Sequence, residues 1–65
     1  MKPGDIVEFK SDSLGIHDWG QLALVKYIRV TPHGTGQVGL MNCKLGNMTV
    51  PWLSRDKYIE VVIAS

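Results

Sequence analysis

The chain has 65 residues, of which 45% are hydrophobic and 20% charged, and seven Lys and Arg against six Asp and Glu give a net charge of +1. A chain this short folds as one domain, residues 1–65, with a single small core and no room for a deep substrate cleft. The hydrophobic content argues against a disordered chain, whereas the small net charge neither favours nor excludes nucleic acid.

Turn residues recur at short intervals along the chain, a pattern typical of an all-β sandwich or barrel. Residues 5–10 (DIVEFK) alternate, which predicts a strand with Val7 and Phe9 on its inner face. Residues 11–20 (SDSLGIHDWG) have the composition of a loop. Residues 21–31 (QLALVKYIRVT) form the longest predicted strand.

The second half of the chain carries three more predicted strands separated by turns. The spacing of Gly, Pro and Asn sets their limits, because these residues favour turns and proline has no N–H for a strand ladder. In chain order we predict a turn over 31–36, a strand over 37–44, a hairpin turn over 45–47, a strand over 48–50 that Pro51 ends, one 3₁₀ turn over 52–57 and a closing strand over 58–63.

The longest strand requires an irregularity near its middle. Ala23 and Val25 lie on one face of this strand, which we take to be the core face. Ile28 and Val30 then stay inside only if the strand gains one extra residue, a bulge, near Lys26. Such bulges bend long strands around the corners of small barrels.

Apolar residues remain for which the core has no place. In the closing strand Ile59, Val61 and Ile63 fit inside, which leaves Tyr58 and Val62 outside. A small barrel cannot cover its outer face by itself. The surplus predicts contact with a partner or self-association, although single exposed apolar residues are also ordinary. The candidate self-association residues are Leu22, Leu24, Tyr58 and Val62.

The first 25 residues contain Gly4-Asp5-Ile6-Val7-Glu8-Phe9, then Gly15, then Gly20-Gln21-Leu22-Ala23-Leu24-Val25. This pattern resembles the KOW-type start of SH3-like barrels, which occurs in several ribosomal proteins and transcription elongation factors. The loop is longer here than in that motif, and Ala23 replaces the motif's second glycine. The resemblance implies an all-β, five-stranded SH3-like small barrel of the Sm or KOW type, with a short 3₁₀ turn before the last strand.

The C-terminal half is similar to the end of SH3 barrels, with Thr49-Val50-Pro51-Trp52-Leu53 followed by Tyr58-Ile59-Glu60. In peptide-binding SH3 domains the proline and tyrosine line a groove for polyproline. Their spacing is longer here, and neither an acidic loop nor a tryptophan pair is present, so polyproline binding is not expected. Sm-like proteins, which form RNA-binding rings, share the barrel, but their two signature motifs are not visible.

Residues with reactive side chains form no recognisable catalytic or metal motif. Asp12, His17 and Asp18 share a loop without ligand spacing, and His33 lies in a turn, so solvated side chains are the simpler interpretation. Cys43, the only cysteine, excludes an internal disulfide and is predicted in a strand, facing inwards as a small hydrophobe. We expect no enzyme activity, no metal, no cofactor and no small-molecule substrate.

The N-terminal residues lack the apolar run of a signal peptide, and no apolar stretch is long enough for a membrane span. We therefore expect a cytoplasmic protein without membrane contact. The leading hypothesis is a non-enzymatic interaction module that self-associates or docks on a protein partner.

The alternative is a small barrel that binds single-stranded RNA or DNA by stacking bases on aromatic rings beside cations. The two tryptophans could instead cap the ends of the core. A small hydrolase or toxin is a distant third hypothesis. The candidate nucleic-acid or partner surface comprises Trp19, Lys26, Tyr27, Arg29, Trp52, Arg55 and Lys57.

Overall fold

The computed structural model describes residues 1–10 and 20–65, and these form five antiparallel strands and one helical turn. The elements in chain order are β1 (Ile6–Phe9), β2 (Leu22–Val30), β3 (Gly36–Asn42), β4 (Gly46–Pro51), α1 (Arg55–Tyr58) and β5 (Ile59–Ile63). The strand order in the sheet is β4-β3-β2-β1-β5, so β4 and β5 are the two edges. Within the described residues these edges are not paired and the sheet is not closed.

The core lies on one face of this sheet and draws residues from all five strands. Val7 and Phe9 of β1 are fully buried there, as the alternation of residues 5–10 predicts. Val7 lies opposite Ala23, whose small side chain is also buried. The other buried apolar residues are Val25, Val38, Leu40, Val50 and Ile59.

The predicted bulge in β2 is confirmed at Lys26. Val25 lies opposite Leu40, but Tyr27 lies opposite Gly39, so Lys26 is an extra residue in the pairing of β2 with β3. Ile28 consequently packs against the core.

The inward position predicted for Val30 is wrong, since its side chain is 41% exposed. Val30 is the last residue of β2 and pairs with Gly36, the first residue of β3, which offers no side chain to cover it.

A second bulge, which the sequence pattern does not reveal, lies in β5. Val61 pairs with Val7, but Ile63 pairs with Ile6, so Val62 is the extra residue. The bulge shifts the alternation by one position and turns Ile63 to the outer face. The prediction that Ile63 fits inside is therefore wrong, and its side chain is 59% exposed.

The hairpin between β3 and β4 turns two residues earlier than predicted. Its turn is formed by residues 43–45, and Gly46 begins β4 with a positive φ of 80°. The buried side chain of Asn42 shapes this turn, because its Oδ1 accepts hydrogen bonds from the backbone N–H groups of Lys44 and Leu45, each at 2.7 Å. The prediction of an inward-facing Cys43 is wrong, since this residue lies in the turn and is exposed.

The segment between β4 and β5 is a single α-helical turn, where the sequence predicts a 3₁₀ turn. Pro51 ends β4 as expected, and α1 then contacts both edge strands. Tyr58, the last residue of α1, is half-buried and packs against the core, so its predicted outward position is wrong. Within the residues described, no helix has the length and apolar character needed to cross a membrane.

Candidate interaction surface

Four apolar residues from four neighbouring strands line up on the face of the sheet opposite the core. Ile63 lies opposite Ile6, Ile6 lies opposite Leu24, and Leu24 lies opposite Met41. We call these four residues the outer row. The side chains of Ile63 and Met41 are 59% and 44% exposed, and the other two are half-buried. The row ends at Asn47 of β4, which lies opposite Met41.

Two residues further along the strands from the outer row, the same face carries an apolar residue and an acidic pair. Leu22, which is 49% exposed, lies opposite Glu8, and Glu8 lies opposite Glu60. Asn42 donates a hydrogen bond from Nδ2 to the carbonyl oxygen of Leu22 at 2.6 Å, which holds the hairpin turn beside β2. Lys44 lies in that turn and is exposed.

Three of the four predicted self-association residues lie on or beside this surface. Leu24 belongs to the outer row, Leu22 lies next to it on β2, and Val62 is 45% exposed at the bulge in β5. Tyr58 lies apart, packed against the core, with the ammonium of Lys57 5.8 Å from the centre of its ring.

The outer row also contains residues that sequence reasoning did not select. The alternation of β1 and β3 could have placed Ile6 and Met41 outside, because their neighbours Val7 and Leu40 are apolar and buried. No sequence signal reveals Ile63, since its position depends on the bulge at Val62.

Two aromatic rings each stack with the guanidinium of an arginine that is close in sequence. On β2 the Arg29 guanidinium lies 4.9 Å from the centre of the Tyr27 ring, and the Tyr27 hydroxyl accepts a 3.5 Å hydrogen bond from Gln37 Nε2. The ring lies so close to the backbone of Gly39 that a Cβ there would overlap it. An open depression of about 320 Å³ adjoins this ring between Lys26 and the β4 residues 47–49.

The second ring is Trp52, which follows β4 and packs against the core. The guanidinium of Arg55 lies 3.7 Å from its centre, and Arg55 Nη1 donates a 2.6 Å hydrogen bond to the Trp52 carbonyl oxygen. The indole thus packs against the core, and a guanidinium covers one of its faces. This arrangement leaves Trp52 a poor platform for stacking a base.

The residues predicted for a nucleic-acid or partner surface thus lie in two places. Lys26, Tyr27 and Arg29 lie on β2, whereas Trp52, Arg55 and Lys57 lie at or beside α1, between the edge strands. Trp19 lies outside the described residues. The cations are divided between these two places, so the described chain shows no single basic patch with aromatic rings.

A carboxylate links the start of β1 to the end of β5. Asp5 is buried and follows the turn Lys2-Pro3-Gly4, in which Gly4 has φ of 96°. Its oxygens accept hydrogen bonds of 2.9 Å from the backbone N–H groups of Ser65 and Lys2. The Ser65 bond is the largest cause of a lowered pKa at Asp5; the Lys2 bond adds to it, and burial opposes both.

The described residues contain no cluster of three or more His, Cys, Asp or Glu that could hold a metal ion. Asp12, His17 and Asp18 lie outside the described residues, and His33 is exposed between β2 and β3. Compared with protein-family models, with curated proteins and with solved structures, the chain matches none.

Proposed function

We propose that this chain is a non-enzymatic, cytoplasmic interaction module that uses the outer row to associate with protein, in the first place with itself. The observation that carries the proposal is the alignment of four partly exposed apolar residues across four strands. Scattered apolar residues on a surface are ordinary, but a contiguous apolar face is characteristic of an interaction site. The free, exposed thiol of Cys43 fits a reducing compartment.

The fold that we propose for this module is an SH3-like small barrel. Its support comes from the strand order β4-β3-β2-β1-β5, from the bulge at Lys26 and from the turn that the KOW-like Gly4-Asp5 pair makes before β1. In such a barrel α1 would bridge the two edge strands, both of which it contacts. Many functions use this architecture, so the function is argued from the outer row.

Light scattering over micromolar to millimolar concentrations tests the proposed function. We expect a mass above the 7.2 kDa of one chain that falls to the monomer in Met41→Lys, because a charge in the row opposes burial. Thr49→Lys is the matched control, since Thr49 is exposed on β4 opposite Gly39, outside the row. A single 7.2 kDa species at every concentration would overturn self-association.

Binding of single-stranded nucleic acid is the second candidate function, supported by the neighbouring Lys26, Tyr27 and Arg29 on β2. It ranks second because Tyr27 and Trp52 both stack with arginines of this chain. Titration of tryptophan fluorescence with single-stranded DNA and RNA at low salt tests it. Salt-sensitive binding that is lost in the Lys26→Ala, Arg29→Ala double variant would move this function to first place.

A further inference from the structure

Within the described residues, the edge strand β4 contributes no member to the outer row and has a neighbouring strand on one side only. We infer that β4 pairs on its other side, over residues 47–49, with an extended segment of a partner protein in which acidic and apolar residues alternate. The segment adds one strand to the sheet. Because this surface is separate from the outer row, the inference goes beyond the proposed self-association and does not depend on it.

The backbone of β4 carries unpaired hydrogen-bonding groups along its free side. The N–H of Trp52, directly after β4, donates a 3.0 Å hydrogen bond to the carbonyl oxygen of Gly36 on β3. In an antiparallel pair, the groups that face the partner strand belong to every second residue. Counting back from Trp52, the N–H and C=O groups of Asn47 and Thr49 therefore point away from β3. No backbone hydrogen bond among the described residues uses these groups.

The other edge strand, β5, is less suited to accept a strand. The N–H of Ile59 already donates a hydrogen bond to the carbonyl oxygen of Arg55 in α1. The bulge at Val62 interrupts the edge, and bulges of this kind protect edge strands from pairing. By contrast, β4 pairs regularly with β3, and residues 46–50 carry no charge. Pro51, which has no N–H, ends the part of β4 that can pair.

The side chains beside this edge favour acidic residues in the added strand. Residues directly opposite each other on neighbouring strands share a face, so the residues opposite Asn47 and Thr49 point to the outer face. There β4 adjoins the open depression of about 320 Å³, and among the described residues that line it Lys26 alone is charged. The guanidinium of Arg29 adds positive charge 4.9 Å from the centre of the Tyr27 ring, which also lines the depression. Carboxylates on the added strand complement these cations.

The residue between these two points to the core side of the sheet. It lies opposite Met48, which is half-buried and packs against the core. An apolar side chain at this position covers Met48 and extends the core by one strand. The recognised segment therefore alternates acidic, apolar and acidic residues. Main-chain hydrogen bonds supply affinity in such strand addition, and the alternate side chains supply specificity.

Fluorescence anisotropy of a labelled peptide mixed with the intact chain tests the pairing. The probe is a short peptide of alternating valine and glutamate with blocked termini. Methylation of its glutamate amide nitrogens removes the N–H groups that donate to β4 and should weaken binding at least about tenfold. Methylation of its valine amides, which point away from β4, is the matched control and should change Kd less than about twofold. Equal effects of the two methylations, or no binding of the unmethylated peptide, would overturn the inference.

Amide hydrogen exchange locates the peptide on the chain. The N–H groups of Asn47 and Thr49 should exchange at least about tenfold more slowly when the peptide is saturating, because each then donates to a peptide carbonyl oxygen. The N–H groups of Met48 and Val50 face β3 and serve as the internal control. Slower exchange at other residues, without protection of Asn47 and Thr49, would exclude β4 as the binding edge.

Charge reversal tests the preference for acidic residues. Lys26→Glu should weaken binding of the glutamate peptide about fivefold and strengthen binding of the same peptide with lysine in place of glutamate. Lys57→Glu is the matched control, because Lys57 is an exposed cation on α1 that does not line the depression. Equal affinity of the parent chain for the glutamate and lysine peptides would overturn the acidic character of the partner.

Discussion

Ile63 lies directly opposite Ile6 on the outer face of the sheet, although an unbroken alternation of β5 would place it on the same face as the buried Ile59. The single extra residue Val62 separates these two environments by shifting the alternation of β5. Without the extra residue, Val62 would lie opposite Ile6, so this one irregular position decides that Ile63 completes the outer row.

The first prediction compares two isoleucines of β5. Ile59→Ala should lower the free energy of unfolding by about 2–4 kcal/mol, because it opens a cavity in the core. Ile63→Ala should change it by less than about 0.5 kcal/mol at concentrations where the chain is monomeric, because more than half of that side chain is already exposed. Urea unfolding of the two variants checks the difference. Equal losses would show that β5 continues its alternation without a bulge.

The second prediction concerns the amide of Asn42, which supports the hairpin turn that carries Lys44. Asn42→Ala should destabilise the fold by about 1–3 kcal/mol, because a buried amide with three hydrogen bonds is removed and its backbone partners lose theirs. Urea unfolding measures the loss. Asn47→Ala, at an exposed position of β4, is the control and should stay within about 0.5 kcal/mol of the parent. A harmless Asn42→Ala would mean that the turn forms without this side chain.

The third prediction is a pH dependence of stability from Asp5. Because the folded pKa lies below the ordinary value of 3.8, the folded chain binds the proton less tightly than the unfolded chain. The stabilisation is therefore present above that ordinary value and is lost as pH falls through the folded pKa. Thermal unfolding from pH about 6 to about 2 should show the midpoint falling at the acid end.

The matched variants for this experiment are Asp5→Asn and Asp56→Asn. Asp5→Asn should flatten the acid dependence, because an amide has no carboxylate charge for the Ser65 and Lys2 N–H groups to stabilise. Asp56 is exposed on α1, and its variant should keep the dependence of the parent. An unchanged profile in Asp5→Asn would assign the acid sensitivity to other carboxylates.

The fourth prediction concerns the space between Gly39 and Tyr27. Gly39→Ala should destabilise the fold by about 1–3 kcal/mol, because the new methyl group displaces the Tyr27 ring from its contacts with Arg29 and Gln37. In a Tyr27→Ala background the same substitution should cost less than half as much, since the clash is gone. Chemical unfolding of the four chains measures this coupling. Additive costs would show that the ring does not restrict position 39.

The fifth prediction concerns the cover that Arg55 provides for Trp52. In a Trp19→Phe background, Arg55→Ala should shift tryptophan emission to longer wavelength, because water reaches the ring face that the guanidinium covers. Loss of the stacking should also lower stability by about 0.5–2 kcal/mol. Lys57→Ala, which removes a neighbouring cation that stacks on Tyr58 instead, should leave the emission unchanged. Emission that stays fixed in Arg55→Ala would mean that the core alone shields Trp52.

The alternation of apolar residues was sufficient to predict which side chains of a regular strand are buried. It was also sufficient where the positions of the apolar residues require a bulge. Val7 and Phe9 could be placed in the core because period-two alternation is unbroken in β1. The bulge at Lys26 was also predictable, because the apolar residues before and after it can all face the core only if the strand has one extra residue there. The hairpin limits were less accurate, since the Asn42 side chain, rather than the later Gly46-Asn47 pair, organises the turn.

The sequence alone determined that the chain forms five strands with more apolar residues than one core face accommodates, because alternation and turn chemistry are local properties. Only the tertiary structure decided where the surplus lies. The register of β5 on β1, the placement of Tyr58 against the core and the meeting of Ile63, Ile6, Leu24 and Met41 depend on pairings between strands that are distant in sequence. The residues next to a position in sequence do not determine such pairings, because the packing of the whole sheet selects the register.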